Sequence, residues 1–281
     1  MTAYTAADVT VISVCYHSDE VVGAMVDSIP SECQIILVDN GNTNTFASVK
    51  RENRVKILRL EKNLGFGAGC NVGARSSTTK FLLFLNPDAR LGSEKTIMSF
   101  LDGVKRHPKA AAFNPRIIGE GGKHYFKRRS YLLPRSKWMR RGQPTIDTEV
   151  PVLSGAALFL AKENFHRVGG FDNEIFLYHE DDDISIRLGQ IGPLFYLRDA
   201  EVFHASGRST KRSPEIAYFK GEQLTISRIF AGRKHGKALP VVSALIQAIL
   251  VLISPLNFVS KRRRWKALGM LKGIINSSIF R

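Results

Sequence analysis

Short apolar runs separated by amphipathic stretches dominate the first part of the chain. The runs at 9–14, 34–38, 55–60 and 81–85 predict strands, and the stretches at 18–28, 46–53, 68–76 and 93–106 predict helices. The last helix is expected to begin with a cap at Ser93 and Thr96. Runs that are apolar on both faces are typical of strands covered by helices. The alternation therefore predicts an α/β domain with a mainly parallel sheet.

The pattern changes after residue 110. Residues 119–150 are basic and weakly periodic, which indicates a segment that leaves the core and lies at the surface. We call this segment the basic excursion. The apolar run at 152–160 returns to the core, a helix is predicted over 181–189, and a strand over 196–202 ends at Phe203 and His204.

A second apolar feature lies near the end of the chain. Residues 238–260 are 23 consecutive uncharged residues, followed directly by a basic cluster at 261–266. As a helix this run could span roughly 30 Å of hydrocarbon. Pro240 and Pro255 bracket it and both flanks are basic, which disfavours a crossing. The run favours an interfacial or re-entrant membrane helix, with a true span or a packing or oligomer helix as alternatives.

The charge of the chain is unevenly distributed. The 281-residue chain has a net charge of +16, but residues 104–141 and 223–281 each carry +11 and the remainder carries −6. Two basic segments on a mildly acidic chain suit phosphate-rich partners such as nucleic acid, anionic lipid or pyrophosphate-bearing substrates. Three cysteines without a Cys-x-x-Cys pair argue against a disulfide scaffold and a thiolate zinc site. With no secretory signal at the N-terminus, we expect a reducing compartment.

Two polar motifs follow predicted strands directly. Asp39-Asn40-Gly41-Asn42 comes after the second strand, where α/β sheets bind ligands, although this motif is equally typical of a turn. Asn86-Pro87-Asp88 follows the fourth strand. A carboxylate there suits a divalent cation that bridges diphosphate oxygens, although an ordinary turn is the alternative.

A glycine-rich stretch at 63–73 links the third strand to a helix. Its spacing fails the dinucleotide fingerprint because Cys70 and Val72 occupy the positions of the last glycine. Close approach of the backbone to a nucleotide or diphosphate is one interpretation, and tight helix–sheet packing is the other.

Four consecutive acids, residues 180–183, follow an aromatic-rich stretch. Crowded carboxylates raise one another's pKa, as a general base requires, and acids also suit the N-terminus of a helix. His204 is either structural or, with Asp88 and a diphosphate, a ligand of a cation.

In this order the motifs resemble family 2 of the inverting glycosyltransferases, of GT-A fold, and within it the rhamnosyltransferase-like branch. The resemblance covers about residues 9–210 and rests on five blocks: VISVCYHS, IILVDNGN, NLGFGAGCNVG, FLLFLNPDA and GGFDNEIFLYHEDDDISIRL. It implies a GT-A (Rossmann-like) α/β domain over 1–222, with a mostly parallel mixed sheet flanked by helices. The nucleotide-sugar half would cover about 1–110 and the acceptor half about 111–222. A basic and apolar helical membrane-association segment would follow over 223–281.

The resemblance also implies roles for residues. Asp181 would be the catalytic base with Glu180 assisting, and Asp88 with His204 would hold Mg²⁺ or Mn²⁺. The nucleotide-sugar donor would be bound by Tyr16, Asp39, Asn63, Gly65, Asn71, Asn86, Ser154 and Gly155. The chain departs from the usual family pattern at His17, Asn42, Asn44 and Asn173, and the missing acid at 44 bears on the choice of nucleotide.

The implied activity is inverting transfer of a sugar from a nucleoside-diphosphate donor, with rhamnose from dTDP-rhamnose as the leading choice. The acceptor would be a saccharide or lipid-linked molecule in bacterial cell-envelope glycan synthesis. We expect the protein at the cytoplasmic face of the inner membrane, with a homo-oligomer left open and no nucleic-acid partner. The alternatives are a sugar nucleotidyltransferase, an inactive sugar-nucleotide-binding protein and a basic nucleic-acid-binding protein, although the last would need a recognition motif that the sequence lacks.

Overall fold

Ten strands form one mixed sheet in this computed structural model, which describes residues 3–50, 53–205, 213–255 and 260–279. In chain order they are β1 (Val9–Cys15), β2 (Gln34–Asn40), β3 (Val55–Leu60), β4 (Phe81–Leu85), β5 (Ala89–Leu91), β6 (Ala112–Ile118), β7 (His124–Tyr125), β8 (Thr148–Glu149), β9 (Ala157–Ala161) and β10 (Leu194–His204). Their order across the sheet is β3-β2-β1-β4-β9-β6-β10-β5, with β7 beside β6 and β8 beside β10.

Helices cover both faces of this sheet. Within the described ranges they are α1 (Asp19–Asp27), α2 (Phe66–Ser76), α3 (Thr96–Arg106), α4 (Lys162–Arg167), α5 (Glu180–Leu188), α6 (Pro214–Lys234), α7 (Pro240–Leu252) and α8 (Lys261–Ile279). Successive side chains of a strand point to opposite faces, so Val11 and Ile12 of β1 enter different cores. One core contains α1 and α3, and the other contains α2, α4 and α5.

Strand direction decides which loops meet. β4 runs parallel to β1, and β9 runs antiparallel to both β4 and β6. Because β10 is parallel to β6, it also runs in the direction of β4. The carboxyl ends of β1, β2, β4 and β10 therefore lie at one edge of the sheet, where β9 begins. We call this the carboxyl edge.

The structure confirms the predicted strands and most of the predicted helices. The first four strands are β1 to β4, and the later strand and acidic helix are β10 and α5. The cap predicted at Ser93 is wrong. The helix starts at Thr96, whose hydroxyl accepts a hydrogen bond from the Ser93 amide at 3.2 Å.

The helix predicted over 46–53 is also wrong. Residues 46–50 form turns, and residues 51–52 lie outside the described ranges. Phe46 has a φ of 55°, in the left-handed region that a right-handed helix excludes. The Asp19 carboxylate holds this conformation by accepting the amides of Thr45 and Phe46 at 3.0 and 2.8 Å.

The excursion predicted over 119–150 is only partly at the surface. β7 and β8 extend the sheet, and Leu132 is buried against Ile175 and Ala231. The sequence pattern misses these contacts because the buried side chains are isolated instead of periodic.

Helix α6 packs on the sheet domain and continues through the boundary predicted between residues 222 and 223. The hydroxyl group of Ser227 donates to the Leu177 carbonyl at 2.9 Å, and the Arg228 guanidinium lies 3.4 Å from the ring centre of Tyr131. Helix α8 packs closely on α6, because a Cβ added at Gly269 or Gly273 would meet α6 backbone.

The apolar run near the C-terminus forms α7 over 13 residues, while residues 256–259 of that run lie outside the described ranges. In the described part of the chain, no helix has the length and hydropathy needed to cross a membrane. Helix α7 buries Ala244 and Ala248. Six large apolar side chains of this helix are exposed: Val242, Leu245, Ile246, Ile249, Leu250 and Leu252.

Asp183 ties α5 to the end of α6. Its fully buried carboxylate lies 2.5 Å from Arg187, 2.7 Å from Lys234 and 2.8 Å from His235. Burial opposes ionisation, but the hydrogen bond from Lys234 and the charge of Arg187 outweigh it and lower the pKa of Asp183. The carboxylate is therefore charged when it joins the two helices.

We expect Asp183→Asn to lower the free energy of unfolding by about 3–5 kcal/mol at pH 7, because it removes a fully buried carboxylate and leaves Arg187 and Lys234 without their shared counter-ion. The depressed pKa means that this stabilisation is present above the unfolded value of about 3.9 and is lost as pH falls through the folded value. The difference in the free energy of unfolding between wild type and variant should therefore be smaller near pH 3 than at pH 7.

Urea denaturation at pH 7 and pH 3 measures both effects. Asp102→Asn is the matched control, since Asp102 forms an exposed ion pair with Lys105, and we expect it to cost less than about 1 kcal/mol. Equal losses in the two variants at pH 7 would contradict the assignment.

Candidate active site

A cleft of about 420 Å³ opens at the carboxyl edge. It is lined by Phe66, Asn86, Tyr125, Ser154, Gly155, Ala156, Leu177, Tyr178, Glu180, Asp181 and His204. Six of these residues are among those predicted from the sequence, and they come from four separate parts of the chain. The antiparallel β9 brings Ser154 and Gly155 to this edge, because it begins where β4 ends.

Asp181 is held firmly in the first turn of α5. Its Oδ2 accepts the Gly155 amide at 3.0 Å, and its Oδ1 accepts the Asp182 amide at 2.9 Å. Tyr178 and His179, just before the helix, have φ values of 70° and 65°. Left-handed conformations at residues other than glycine cost about 1–3 kcal/mol each and often occur at functional sites. This turn directs the start of α5 at the cleft.

Asp182 faces a different set of partners. His179 lies 2.8 Å from its Oδ2, and the Lys127 ammonium lies 2.9 Å from its Oδ1. Burial would raise the pKa of Asp182, but the hydrogen bond from His179 and the charge of Lys127 lower it to about 2. Asp182 is therefore a charged structural residue, and Asp181 is the aspartate of this pair that lines the cleft.

Glu180 is buried and in the opposite electrostatic situation. Its Oε2 has no hydrogen-bond partner within the described ranges. Burial, together with the charge of Asp181, raises the pKa of Glu180 to about 8. At neutral pH Glu180 therefore keeps a proton that it can donate in a hydrogen bond, and it lines the cleft next to Asp181.

The two predicted metal ligands contact each other, and one of them, His204, lines the cleft. His204 Nε2, at the end of β10, is 3.2 Å from Asp88 Oδ1 and 3.3 Å from Asn86 Nδ2. No group of three or more His, Cys, Asp or Glu side chains suited to a metal ion occurs in the described part of the chain. A carboxylate and an imidazole are nevertheless ligands that suit Mn²⁺. The pair fits a cation that takes its other ligands from substrate and water.

Asp39 is predicted to bind the nucleotide, but its carboxylate, near the end of β2, is fully buried. Oδ1 accepts the amides of Thr43 and Asn44 and the Asn44 side chain, and Oδ2 lies 2.5 Å from Arg59. Tyr16, at the end of β1, is 40% exposed and packs its ring edge-on against His17. Only Tyr16 of these two predicted donor-binding residues is accessible.

The glycine-rich stretch at 63–73 packs against the segment that precedes α5. Asn63 Oδ1 accepts the Gly65 amide at 2.9 Å, and Gly65 has a φ of 92° with the Phe176 carbonyl where a Cβ would stand. Asn71 accepts the amide of Phe171 and donates to its carbonyl. Gly69 and the following glycine, residue 73, pack on β1 side chains. The packing interpretation of this stretch is therefore confirmed, and contact of Asn63, Gly65 or Asn71 with a donor stays a prediction.

Sequence reasoning missed three polar residues of the site. Tyr125 and Tyr178 line the cleft, and Lys127 lies 2.6 Å from Asp181. Lys127 is one of 12 Lys and Arg residues in 104–141, so composition alone does not distinguish it. Only the pairing of β7 with β6 brings this segment to the acids.

Comparison with known proteins decides the family. The family model named Glycosyl transferase family 2 matches residues 10–169. The chain belongs to this family. This glycosyltransferase is 32% identical over 212 residues to N-acetylglucosaminyl-diphospho-decaprenol L-rhamnosyltransferase of Mycobacterium tuberculosis, over 64% of this chain and 69% of the relative. It is 25% identical over 185 residues to dTDP-rhamnosyl transferase RfbF of Shigella flexneri, over 62% and 60%.

Solved structures agree on the fold of this glycosyltransferase. S. aureus TarS 1–349 superposes with a TM-score of 0.55 at 14% identity, covering 96% of this chain and 91% of that one. Mannosyltransferase PcManGT from Pyrobaculum calidifontis, in complex with GDP-Man and Mn²⁺, gives 0.57 at 12% identity, covering 96% and 87%. These likenesses confirm the predicted GT-A fold.

The raised pKa of Glu180 gives a test of the site. Because its folded pKa is raised, its contribution to stability is full below the unfolded value of about 4.3 and is lost as pH rises through about 8. Glu180→Gln removes this titration. We therefore expect the variant to gain stability relative to wild type as pH rises from about 5 to 8.

The measurement is urea denaturation at several pH values across that range. Glu174→Gln is the control, because Glu174 is an exposed residue a short distance before α5. Its difference from wild type should stay flat with pH. A flat difference for Glu180→Gln as well would show that Glu180 is ionised in the folded protein.

Proposed function

We propose that this enzyme is an inverting rhamnosyltransferase that moves rhamnose from a nucleoside diphosphate to a hydroxyl group of a lipid-linked saccharide. The observation that carries the proposal is that Asp181 and His204 line one cleft, with Asp88 hydrogen-bonded to His204. A proton acceptor and a cation-binding pair at one cleft are what displacement of a diphosphate needs. The names of the two relatives support rhamnose as the sugar.

In this mechanism Asp181 accepts the proton of the acceptor hydroxyl. The acceptor oxygen bonds to the anomeric carbon as the bond from that carbon to the diphosphate oxygen breaks, which inverts the configuration. The Gly155 and Asp182 amides keep the carboxylate in place. Protonated Glu180 donates a hydrogen bond to a substrate oxygen. A single displacement of this kind needs no covalent sugar–enzyme intermediate.

Asp88 and His204 would hold a divalent cation, which supplies positive charge next to the departing diphosphate when bound. Backbone hydrogen bonds and strand pairing hold these two residues in place. The Asp88 carbonyl accepts the amide of Ala205 at 3.2 Å, and His204 pairs with Ala89 across β10 and β5. The two ligands are thus held together by the sheet.

The decisive experiment is a donor screen with purified enzyme. dTDP-rhamnose, UDP-GlcNAc and GDP-mannose would each be incubated with a polyprenyl-diphosphate saccharide, in Mg²⁺, Mn²⁺ or EDTA, and nucleoside diphosphate release recorded. We expect release from dTDP-rhamnose that EDTA abolishes. Asp181→Asn should lower kcat by about 10²–10⁴-fold, since the proton acceptor is lost, and Asp88→Ala should abolish the metal response.

Asp102→Asn is the control for both variants, because Asp102 is exposed on α3 away from the cleft. Release by Asp181→Asn at the wild-type rate would refute the assigned base. Release of pyrophosphate from a nucleoside triphosphate would instead support the nucleotidyltransferase alternative. Neither release nor binding of any donor would refute the transferase proposal.

We further propose that α7 lies in the interface of an anionic membrane, at the cytoplasmic face where lipid-linked acceptors occur. Its outward residues are apolar, with Ile246 54% and Leu250 60% exposed. Residues 261–264 at the start of α8 are all basic and exposed, and residues 223–281 contain no acid. An apolar helix face beside basic residues is typical of proteins that bind anionic lipid.

Vesicle co-sedimentation tests this surface. We expect the quadruple variant Leu245→Ser, Ile246→Ser, Ile249→Ser, Leu250→Ser to bind vesicles containing about 30% anionic lipid at least ~10-fold more weakly, because each lost side chain removes apolar burial. Ile146→Ser is the control, since Ile146 is 70% exposed elsewhere on the protein.

Sedimentation velocity of the same proteins tests the alternative that the α7 face joins copies of the chain in an oligomer. Unchanged vesicle binding by the quadruple variant would refute the membrane proposal. Unchanged binding together with dissociation of a wild-type oligomer would assign the α7 face to contact between copies of the chain.

A further inference from the structure

Lys127 reaches the acidic start of α5 from the basic excursion. It follows β7, and its side chain is 15% exposed. Its ammonium nitrogen lies 2.6 Å from Asp181 Oδ2 and 2.9 Å from Asp182 Oδ1. The mechanism proposed above uses Asp181 but assigns no part to this lysine.

A lysine is seldom placed in such surroundings without compensation. Removing an ammonium group from water costs several kcal/mol unless anions replace the lost hydration. Burial lowers the pKa of Lys127, but the charges of Asp181 and Asp182 outweigh it and raise that pKa well above its usual value. Lys127 therefore stays charged at every pH at which the enzyme would work.

The contact limits the movement of the Asp181 carboxylate. Oδ2 receives both the Lys127 ammonium and the Gly155 amide, while Oδ1 receives the Asp182 amide at 2.9 Å. The ion pair and the Gly155 amide both act on Oδ2, so Oδ1, with a single hydrogen bond, is the oxygen with open acceptor capacity. The ion pair and the two hydrogen bonds therefore restrict the orientation of the Asp181 carboxylate.

We propose that Lys127 is a positioning residue for sugar transfer, whose ammonium group holds the Asp181 carboxylate with its open lone pair toward the acceptor hydroxyl. This inference rests on the proposed function. Reaction rate depends steeply on the orientation of a proton acceptor, so a carboxylate that can rotate is a poorer base even when it is present.

The effect should separate catalysis from donor binding. We expect Lys127→Met to lower kcat by about 10–100-fold while the KM for the donor changes by less than about 3-fold. Lys127→Arg keeps the charge and should recover kcat to within about 5-fold of wild type. Lys123→Met is the control, because Lys123 is an exposed lysine of the same excursion and should leave both constants unchanged.

The pH profile of kcat gives a readout that a purely structural role would not change. The groups that face Lys127 are Asp181, Asp182 and Glu180 of α5, His179 before it, and Tyr125 of β7. The charge of Lys127 lowers the pKa values of Glu180 and Asp182. Without it the carboxyl cluster retains protons to higher pH, so the acidic limb of the profile should move upward in Lys127→Met and not in Lys127→Arg.

Each outcome of these assays bears on the inference. An active wild type with kcat unchanged in Lys127→Met would overturn it, and a raised donor KM at unchanged kcat would assign Lys127 to donor binding instead. If the melting temperature shows that Lys127→Met is unfolded, Lys127→Gln and Lys127→Arg decide, because the inference requires the arginine variant to be several-fold faster. A wild type that is inactive with every donor would overturn the proposed function itself.

Discussion

The common direction of β4, β6 and β10 is the constraint on which the site depends. β9 is antiparallel to both of its neighbours, β4 and β6, and β10 is parallel to β6. β10 therefore runs in the same direction as β4, although it lies three positions further across the sheet. His204 thereby arrives at the same edge as Asp88, and the segment before β9 brings Gly155 to that edge. Hydrogen bonding along the sheet, and not the contacts of the cleft residues themselves, places these groups within reach of one substrate.

Four adjacent acids at the start of α5 would repel one another in water, and the fold solves this by giving each one a different environment. Asp183 is neutralised by cations from α5 and α6, Asp182 is paired with Lys127 and hydrogen-bonded to His179, and Glu180 retains its proton. Asp181 has contacts to both the cleft and Lys127. The sequence shows four similar carboxyls, but burial and neighbouring charges make them chemically distinct.

The basic segments are also more closely joined to the catalytic domain than their composition indicates. The excursion supplies Lys127 to the acids and Tyr131 to a contact with Arg228 of α6. Helix α6 in turn supplies Lys234 to Asp183. The basic excursion and α6 are therefore joined by side-chain contacts to the helix that carries the proposed base.

The sequence alone determined five of the strands, β1 to β4 and β10, together with the family and six residues of the cleft. These follow from local patterns: buried strands are short apolar runs, and the cleft residues Asn86, Asp181 and His204 stand in or next to recognisable motifs. It did not determine that Asp39 and Asn71 are held by structural hydrogen bonds, that residues 46–50 avoid a helix, or that Lys127 contacts Asp181. Those outcomes depend on partners distant in the chain, such as Arg59 for Asp39 and the β6–β7 pairing for Lys127. Tertiary structure decided them because the energy of a polar side chain is set by what surrounds it after folding.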